Sequence, residues 1–157
     1  MTSSPSPTVS LGRYNRESGK MDTLKGLFAK QAKLNKRTGF DAEALRADFD
    51  PQTAGIWLNN YIAAMSNELE ELRDCTFWKH WCKEAKEEKR FLLHDLQNAR
   101  VEVIDMLFFW ISLAQCLGLN ADDVLRLYEQ KWKVNWNRQD NNYSMADKTE
   151  DDNKDIV

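Results

Sequence analysis

Val101-Glu102-Val103-Ile104-Asp105-Met106-Leu107-Phe108-Phe109-Trp110-Ile111-Ser112-Leu113-Ala114 is the stretch that decides the fold. It is apolar nearly all round, which predicts a buried helix. Glu102 and Asp105 interrupt it, and at a three-residue spacing they share one helix face. A buried carboxylate without a partner costs several kcal/mol or shifts its pKa, so this pair calls for a counter-charge. A second pair with the same spacing lies upstream, in Asn67-Glu68-Leu69-Glu70-Glu71-Leu72. Alone, Glu68 and Glu71 fit a solvated helix face. A Lys or Arg from another helix could answer the buried pair. Two pairs on facing helices are better explained by a hard cation, and Mg²⁺ prefers oxygen ligands and brings phosphorylated substrates with it.

The rest of the chain reads as helices around that stretch. Leu24, Leu27, Phe28, Gln31 and Leu34 recur at three- and four-residue steps, predicting an amphipathic helix over 21–35. Gln31 interrupts the apolar stripe and is a candidate for hydrogen bonding a polar ligand. Residues 36–50 form a connection with a helical turn near Asp41–Ala47. Asp50 then caps a helix that begins at Pro51 and runs to about Arg73, with Ile56, Leu58, Ile62, Met65, Leu69 and Leu72 as its apolar residues. Asp74 to Lys83 interleaves Phe77, Trp78 and Trp81 with Lys79, His80 and Lys83. Such a segment either anchors on the core or stacks a base beside cations. His80 has no nucleophile arrangement beside it, so no catalytic triad is expected. Glu84 to Gln97 is charged and reads as helix running into Val101. Gly118 and Asn120 mark a stop, and Asn120-Ala121-Asp122-Asp123 caps a last helix that continues through Arg138.

No strand alternation and no fixed-period repeat is present. The expected architecture is all-α, four or five helices in a bundle with the carboxylates pointing inward. Residues 1–20 are expected to be a disordered arm, 21–143 the helical domain, and 144–157 an acidic disordered tail. A formal charge of -3 argues against general nucleic-acid binding. The three cysteines, Cys75, Cys82 and Cys116, are odd in number and lack a CxxC spacing. With no secretory signal in the N-terminal residues, that points to free thiols in a reducing cytoplasm. Glu102 and Asp105 make 101–119 a poor membrane span.

In this order the motifs resemble the dimeric, all-α dUTPases within the MazG-like nucleoside triphosphate pyrophosphohydrolases. Glu68-x-x-Glu71 followed by Glu102-x-x-Asp105 is similar to their metal site. Leu24-x-x-Leu27-Phe28-x-x-Gln31-x-x-Leu34-Asn35 resembles their first helix, and Trp78-Lys79-His80-Trp81 their aromatic segment. Tyr128-x-x-Lys131-x-x-x-Asn135-x-x-Arg138-Gln139-x-x-Asn142-Tyr143 resembles their C-terminal motif, with Asn142 where Gly is usual. Asn tolerates the left-handed backbone that such a Gly adopts.

The resemblance implies Mg²⁺-dependent hydrolysis of dUTP to dUMP and pyrophosphate, with Mn²⁺ as an alternative ion. It implies Glu68, Glu71, Glu102 and Asp105 as metal ligands, with Glu71, then Glu68, as the base that activates water. It assigns Gln31, Asn35 and Asn135 to the base and sugar, and Trp81 with Trp78 to stacking. Lys79, Lys131 and Arg138 are assigned to the phosphates, and Tyr143 closes the binding motif. It also implies a homodimer, which suits the many large apolar residues on 51–73 and 101–117. Relatives with the same metal site act on dCTP, dATP or dGTP, so another deoxynucleotide is the alternative substrate. A helical protein-interaction module is the non-enzymatic alternative.

Overall fold

The computed structural model describes residues 23–140 and residues 153, 154 and 156. Five α-helices follow in order: α1 (Leu24–Arg37), α2 (Ala42–Ala47), α3 (Pro51–Asp74), α4 (Leu96–Cys116) and α5 (Ala121–Asp140). No strand occurs among the described residues, and the all-α expectation holds. The arm at 1–20, Tyr143 and the tail at 144–152 lie outside the described residues.

Local chemistry sets the helix boundaries. Thr23, Asp41 and Asp50 each accept a hydrogen bond from a backbone N–H of the first turn of α1, α2 and α3, and Pro51 opens α3. Asn120 and Asp123 cap each other reciprocally, Asp123 N donating to Asn120 Oδ1 and Asn120 N to Asp123 Oδ2. Gly118 adopts φ 71°, the left-handed turn that ends α4 and lets α5 leave.

One segment departs from expectation. The segment 84–95 is not a continuous helix leading into α4, although Leu96 and Gln97 are helical as expected. It holds only a single π turn, Ala85–Lys89, and Glu88 and Phe91 take positive φ values of 64° and 65°. Pairing with a distant segment wins over local helix formation. Phe77 N donates to Leu92 O, Phe91 N donates to Phe77 O, and Thr76 and Leu93 form an isolated antiparallel bridge. Asp95 then caps α4, so that helix begins at Leu96.

Helices α3 and α4 form the central pair, and their side-chain neighbours show that they run antiparallel: Tyr61 meets Phe109, while Glu68 meets Glu102. Helix α1 packs on α4, with α2 and α5 beside it. Phe40, Leu45, Ala54, Tyr61 and Cys116 form one core, closed by Trp57, Leu58, Phe109 and Leu113. Phe28, Ile111, Ala114 and Ala121 form the other. Each large side chain so placed contributes roughly 1.5–3 kcal/mol.

Two apolar stripes read from the sequence point into these cores only in part, through Leu24 and Phe28 on α1 and Leu58 on α3. On α1 the inward face is Phe28, Gln31 and Asn35, and Leu27 and Leu34 are exposed. On α3 the inward face is Ala54, Trp57, Leu58 and Tyr61, and Ile56, Ile62 and Leu69 are exposed. Nor is α4 buried all round. Glu102, Ile111, Ser112, Ala114 and Gln115 are buried, but Val103, Ile104, Phe108 and Trp110 remain exposed. Among the described residues, no single helix is long and apolar enough to cross a membrane. Cys75, Cys82 and Cys116 are free thiols.

Candidate active site

Where α3 and α4 pack together, Glu68 of the first acidic pair meets both members of the second. Glu68, Glu102 and Asp105 each bring a carboxylate oxygen within 4.8 Å of the others. Glu102 is only 5% exposed, yet its neighbours here are other carboxylates. Burial and the Glu102 carboxyl, with the charges of Glu71 and Asp105 behind them, push the Glu68 carboxyl up from its ordinary range. Three acidic groups at this spacing need protons or a cation. In an octahedral Mg²⁺ site, ligand oxygens stand about 3–4.2 Å apart, so these carboxylates need only a small adjustment to share an ion. The residues fit a hard divalent cation.

Glu71 stands outside this cluster. It is exposed, one turn further along α3, and accepts a hydrogen bond of 2.5 Å from Asn67 Nδ2.

Glu68 and Asp105 also line a cavity of about 510 Å³. Gln31, Asn35 and Thr38 from α1 and the residue after it, Tyr61 from α3, and the rings of Phe108 and Phe109 form the rest of its wall. Gln31 and Asn35 are 5% and 3% exposed, so the two amides sit in the protein interior rather than in a solvated boundary. They are held by a network that the sequence reading missed. Gln115 Nε2 donates to Phe28 O, Asn35 Nδ2 to Gln115 Oε1, and Gln31 Nε2 to Asn35 Oδ1. Ser112 Oγ accepts from both Gln31 and Asn35.

The signal for this network was in α4. Ser112 and Gln115 repeat the three-residue spacing of Glu102 and Asp105 nearly three turns further on, so one polar side of an apolar helix carries all four. Tyr61 stands seven residues before Glu68, on the same side of α3. Along a helix that is about 10 Å, a nucleoside-to-phosphate length.

The remaining candidates lie elsewhere in the chain. Trp78, Lys79 and Asp74 line a separate cleft of about 270 Å³ at the end of α3. There Trp78 Nε1 donates to Asp74, Lys79 Nζ sits 3.4 Å from the same carboxylate, and Arg73 lies over the indole at 4.2 Å. These contacts, the Trp78 hydrogen bond first, hold Asp74 below the usual carboxylate range. Trp81 is 57% exposed and touches Trp78 edge-on. Lys131, Asn135 and Arg138 are on α5, which packs on α1, and Lys131 donates to Asn153. None of them lines the cavity that holds Gln31 and Asn35. Tyr143 lies outside the described residues.

Comparison with known proteins gives this arrangement a family. The defining pattern of the dUTPases matches residues 23–115, which span α1 to α4 and with them the acidic cluster and the cavity. A dCTP pyrophosphatase of Enterobacteria phage LZ5 is 29% identical over 144 residues, covering 78% of this chain and 84% of that protein. A dCTP pyrophosphatase of Enterobacteria phage T4 is 34% identical over 71 residues, 42% of each chain. No solved structure matches. The chain belongs to the all-α dUTPase family and is a nucleoside triphosphate pyrophosphohydrolase.

Proposed function

We propose that this enzyme hydrolyses the pyrimidine deoxynucleoside triphosphates dCTP and dUTP to the monophosphate and pyrophosphate, using Mg²⁺. The observation that carries this reading is the sharing of one cavity by the acidic cluster and the buried amides of Gln31 and Asn35. Carboxylates suit the triphosphate end through a cation, and amides suit a base edge. The motifs resemble dUTPases, while both matched phage proteins act on dCTP, so cytosine and uracil are the two bases to weigh.

Glu68, Glu102 and Asp105 would hold the ion, which when bound neutralises triphosphate oxygens and makes a water more acidic. Glu71, outside the cluster and held by Asn67, would orient the attacking water and take its proton. Gln31 reads the base, and Asn35 fixes Gln31. The rings of Phe108 and Phe109 provide the apolar surface against which a base lies.

Trp78, Lys79, Trp81, Lys131, Asn135 and Arg138 act from another direction, and a homodimer provides one. Ile62 and Leu69 leave an apolar stripe of α3 uncovered. Val103 and Trp110 on α4 and Leu117 at its C-terminal cap do the same at seven-residue intervals. A second subunit on these stripes would cover them and carry its own α5 cations towards the cavity. The deciding experiment is a panel of dCTP, dUTP, dTTP, dATP and dGTP with pyrophosphate detection, with Mg²⁺ and with chelator. Turnover of dCTP and dUTP that disappears with chelator is expected. Preference for a purine nucleotide would overturn the substrate reading.

A further inference from the structure

The cavity's hydrogen-bonding sense is set from its far end. Phe28 O can only accept, so Gln115 must turn its Nε2 towards it, at 3.0 Å. Gln115 Oε1 then faces Asn35, which must donate Nδ2 to it, at 3.0 Å. Asn35 Oδ1 therefore faces Gln31, which must donate Nε2, at 2.8 Å. The other Nε2 and Nδ2 protons go to Ser112 Oγ at 3.0 and 3.1 Å. Ser112 accepts both because its own proton goes to Phe108 O at 2.9 Å, in preference to Asn35 Oδ1 at 3.3 Å. Amide orientation is here a consequence of the network, since flipping any one amide places two acceptors or two donors face to face. Gln31 is left with Oε1 for the cavity and has no proton to offer.

The Thr38 hydroxyl is also committed, to Asn35 O at 2.8 Å. Glu68 and Asp105 accept. One donor remains. Tyr61 is 8% exposed, lines the cavity, and its hydroxyl is a buried polar atom with no hydrogen-bond partner. Its ring is clamped by Phe40, Trp57 and Phe109 at centroid distances of 5.9, 5.8 and 6.2 Å, so the hydroxyl cannot swing out to find water. Burial pushes the phenol up from its ordinary value, opposed by hydrogen bonding with the Thr38 and Ser112 hydroxyls, neither of which reaches full hydrogen-bond geometry, so it keeps its proton near neutral pH. A buried donor without a partner is costly, and in a ligand cavity it marks the place where the ligand supplies the acceptor.

We propose that Tyr61 is a specificity-determining residue, its hydroxyl donating to a ring or carbonyl acceptor of the pyrimidine while Gln31 Oε1 accepts from the neighbouring N–H. This rests on the pyrimidine substrate reading above. Cytosine offers N4–H beside N3, and uracil offers N3–H beside a carbonyl oxygen, so one acceptor–donor pair on the protein serves both bases.

The test compares wild type and Tyr61→Phe on dCTP, dUTP and 3-deaza-dCTP, in which a C–H replaces the N3 acceptor. Wild type should favour dCTP over the deaza analogue by about tenfold or more in kcat/KM. Tyr61→Phe should lose about tenfold on dCTP and on dUTP, and its dCTP to 3-deaza-dCTP ratio should approach one. Its melting temperature without ligand should be unchanged or higher, because the deleted hydroxyl has no partner to lose. An active wild type whose Phe variant keeps both full activity and the preference for dCTP over the analogue overturns this assignment alone. A wild type that cleaves neither dCTP nor dUTP overturns the substrate reading and this assignment with it.

Discussion

Replacing Glu102 by Gln removes one charge from the acidic cluster while keeping the side chain's size, and its effects on stability should have opposite signs with and without metal. Glu102 is the buried member of the cluster and lies against Glu68. In the metal-free protein the change relieves repulsion between close carboxylates, so the melting temperature should hold or rise. With metal the balance reverses. Removing one partner of a buried charge pair costs about 3–5 kcal/mol. Taking about 3 kcal/mol as the loss in cation binding weakens the dissociation constant roughly 150-fold. At a Mg²⁺ concentration of about 100 Kd the wild type gains about 2.7 kcal/mol from binding, whereas the variant at the same concentration gains about 0.3 kcal/mol. For a chain of 157 residues, at roughly 2–4 °C per kcal/mol, the Mg²⁺-linked shift should fall from about 5–11 °C to about 1 °C. Thermal melts at several Mg²⁺ concentrations, read beside pyrophosphate release, make the measurement. Activity should fall by a factor on the order of 100 or more. A structural role for Glu102 predicts destabilisation in both conditions. Glu102→Gln with full activity and an unchanged Mg²⁺ shift would refute the metal-site reasoning.

Two further outcomes follow from other parts of the chain. The Glu68 carboxyl titrates above its ordinary value through burial and the neighbouring carboxyls, so protons and cations compete for it. A raised folded-state pKa contributes stability that is present at low pH and lost as pH rises through that pKa. Relative to Glu68→Gln, the metal-free wild type should therefore lose stability as pH increases from about 4 to 7, and Mg²⁺ affinity measured by calorimetry should rise over the same interval. A difference between the two proteins that does not change with pH would contradict this. Gly118→Ala tests the end of α4. The new Cβ would meet Phe49 at an ordinary 3.6 Å, so the cost is the left-handed backbone at φ 71°, about 1–2 kcal/mol. The melting temperature should drop by roughly 2–8 °C, with Gly118→Asn retaining more of it. Equal stability of Gly118→Ala and wild type would remove the argument from backbone strain.

Some features were legible because their physics is local. Asp41, Asp50 with Pro51, and Asn120 with Asp123 bond to N–H groups two or three residues away, so the residue types alone locate those helix starts. The acid-x-x-acid pairs were legible for the same reason, since three-residue spacing fixes a common face. The segment 84–95 failed because its structure is decided by Phe77, far from it in sequence, and a charged run without such a partner does read as helix. The stripes of α1 and α3 failed differently. Period alone shows that apolar residues share a face, but not whether that face meets this chain or another. Leu34, Ile62 and Leu69 are exposed here, while the polar Gln31 and Asn35 are buried.

That inversion points back to α4 and to a sharper way of reading such a helix. Glu102 and Asp105 were noticed because a charge in an apolar segment demands explanation. Ser112 and Gln115 make the same demand less loudly, because a hydroxyl or amide costs less to bury than a carboxylate. Here both are essentially removed from solvent, and both bond to α1 amides that face the same cavity. Had every polar residue of that helix been required to have a partner, Gln31 and Asn35 would have been the natural ones, as the only amides on the inward side of α1. Tyr61 would not have been found this way, since a tyrosine among Phe40, Trp57 and Phe109 passes for core. Only counting the donors left over after the network closes distinguishes its hydroxyl from a packing accident, and that count requires the fold.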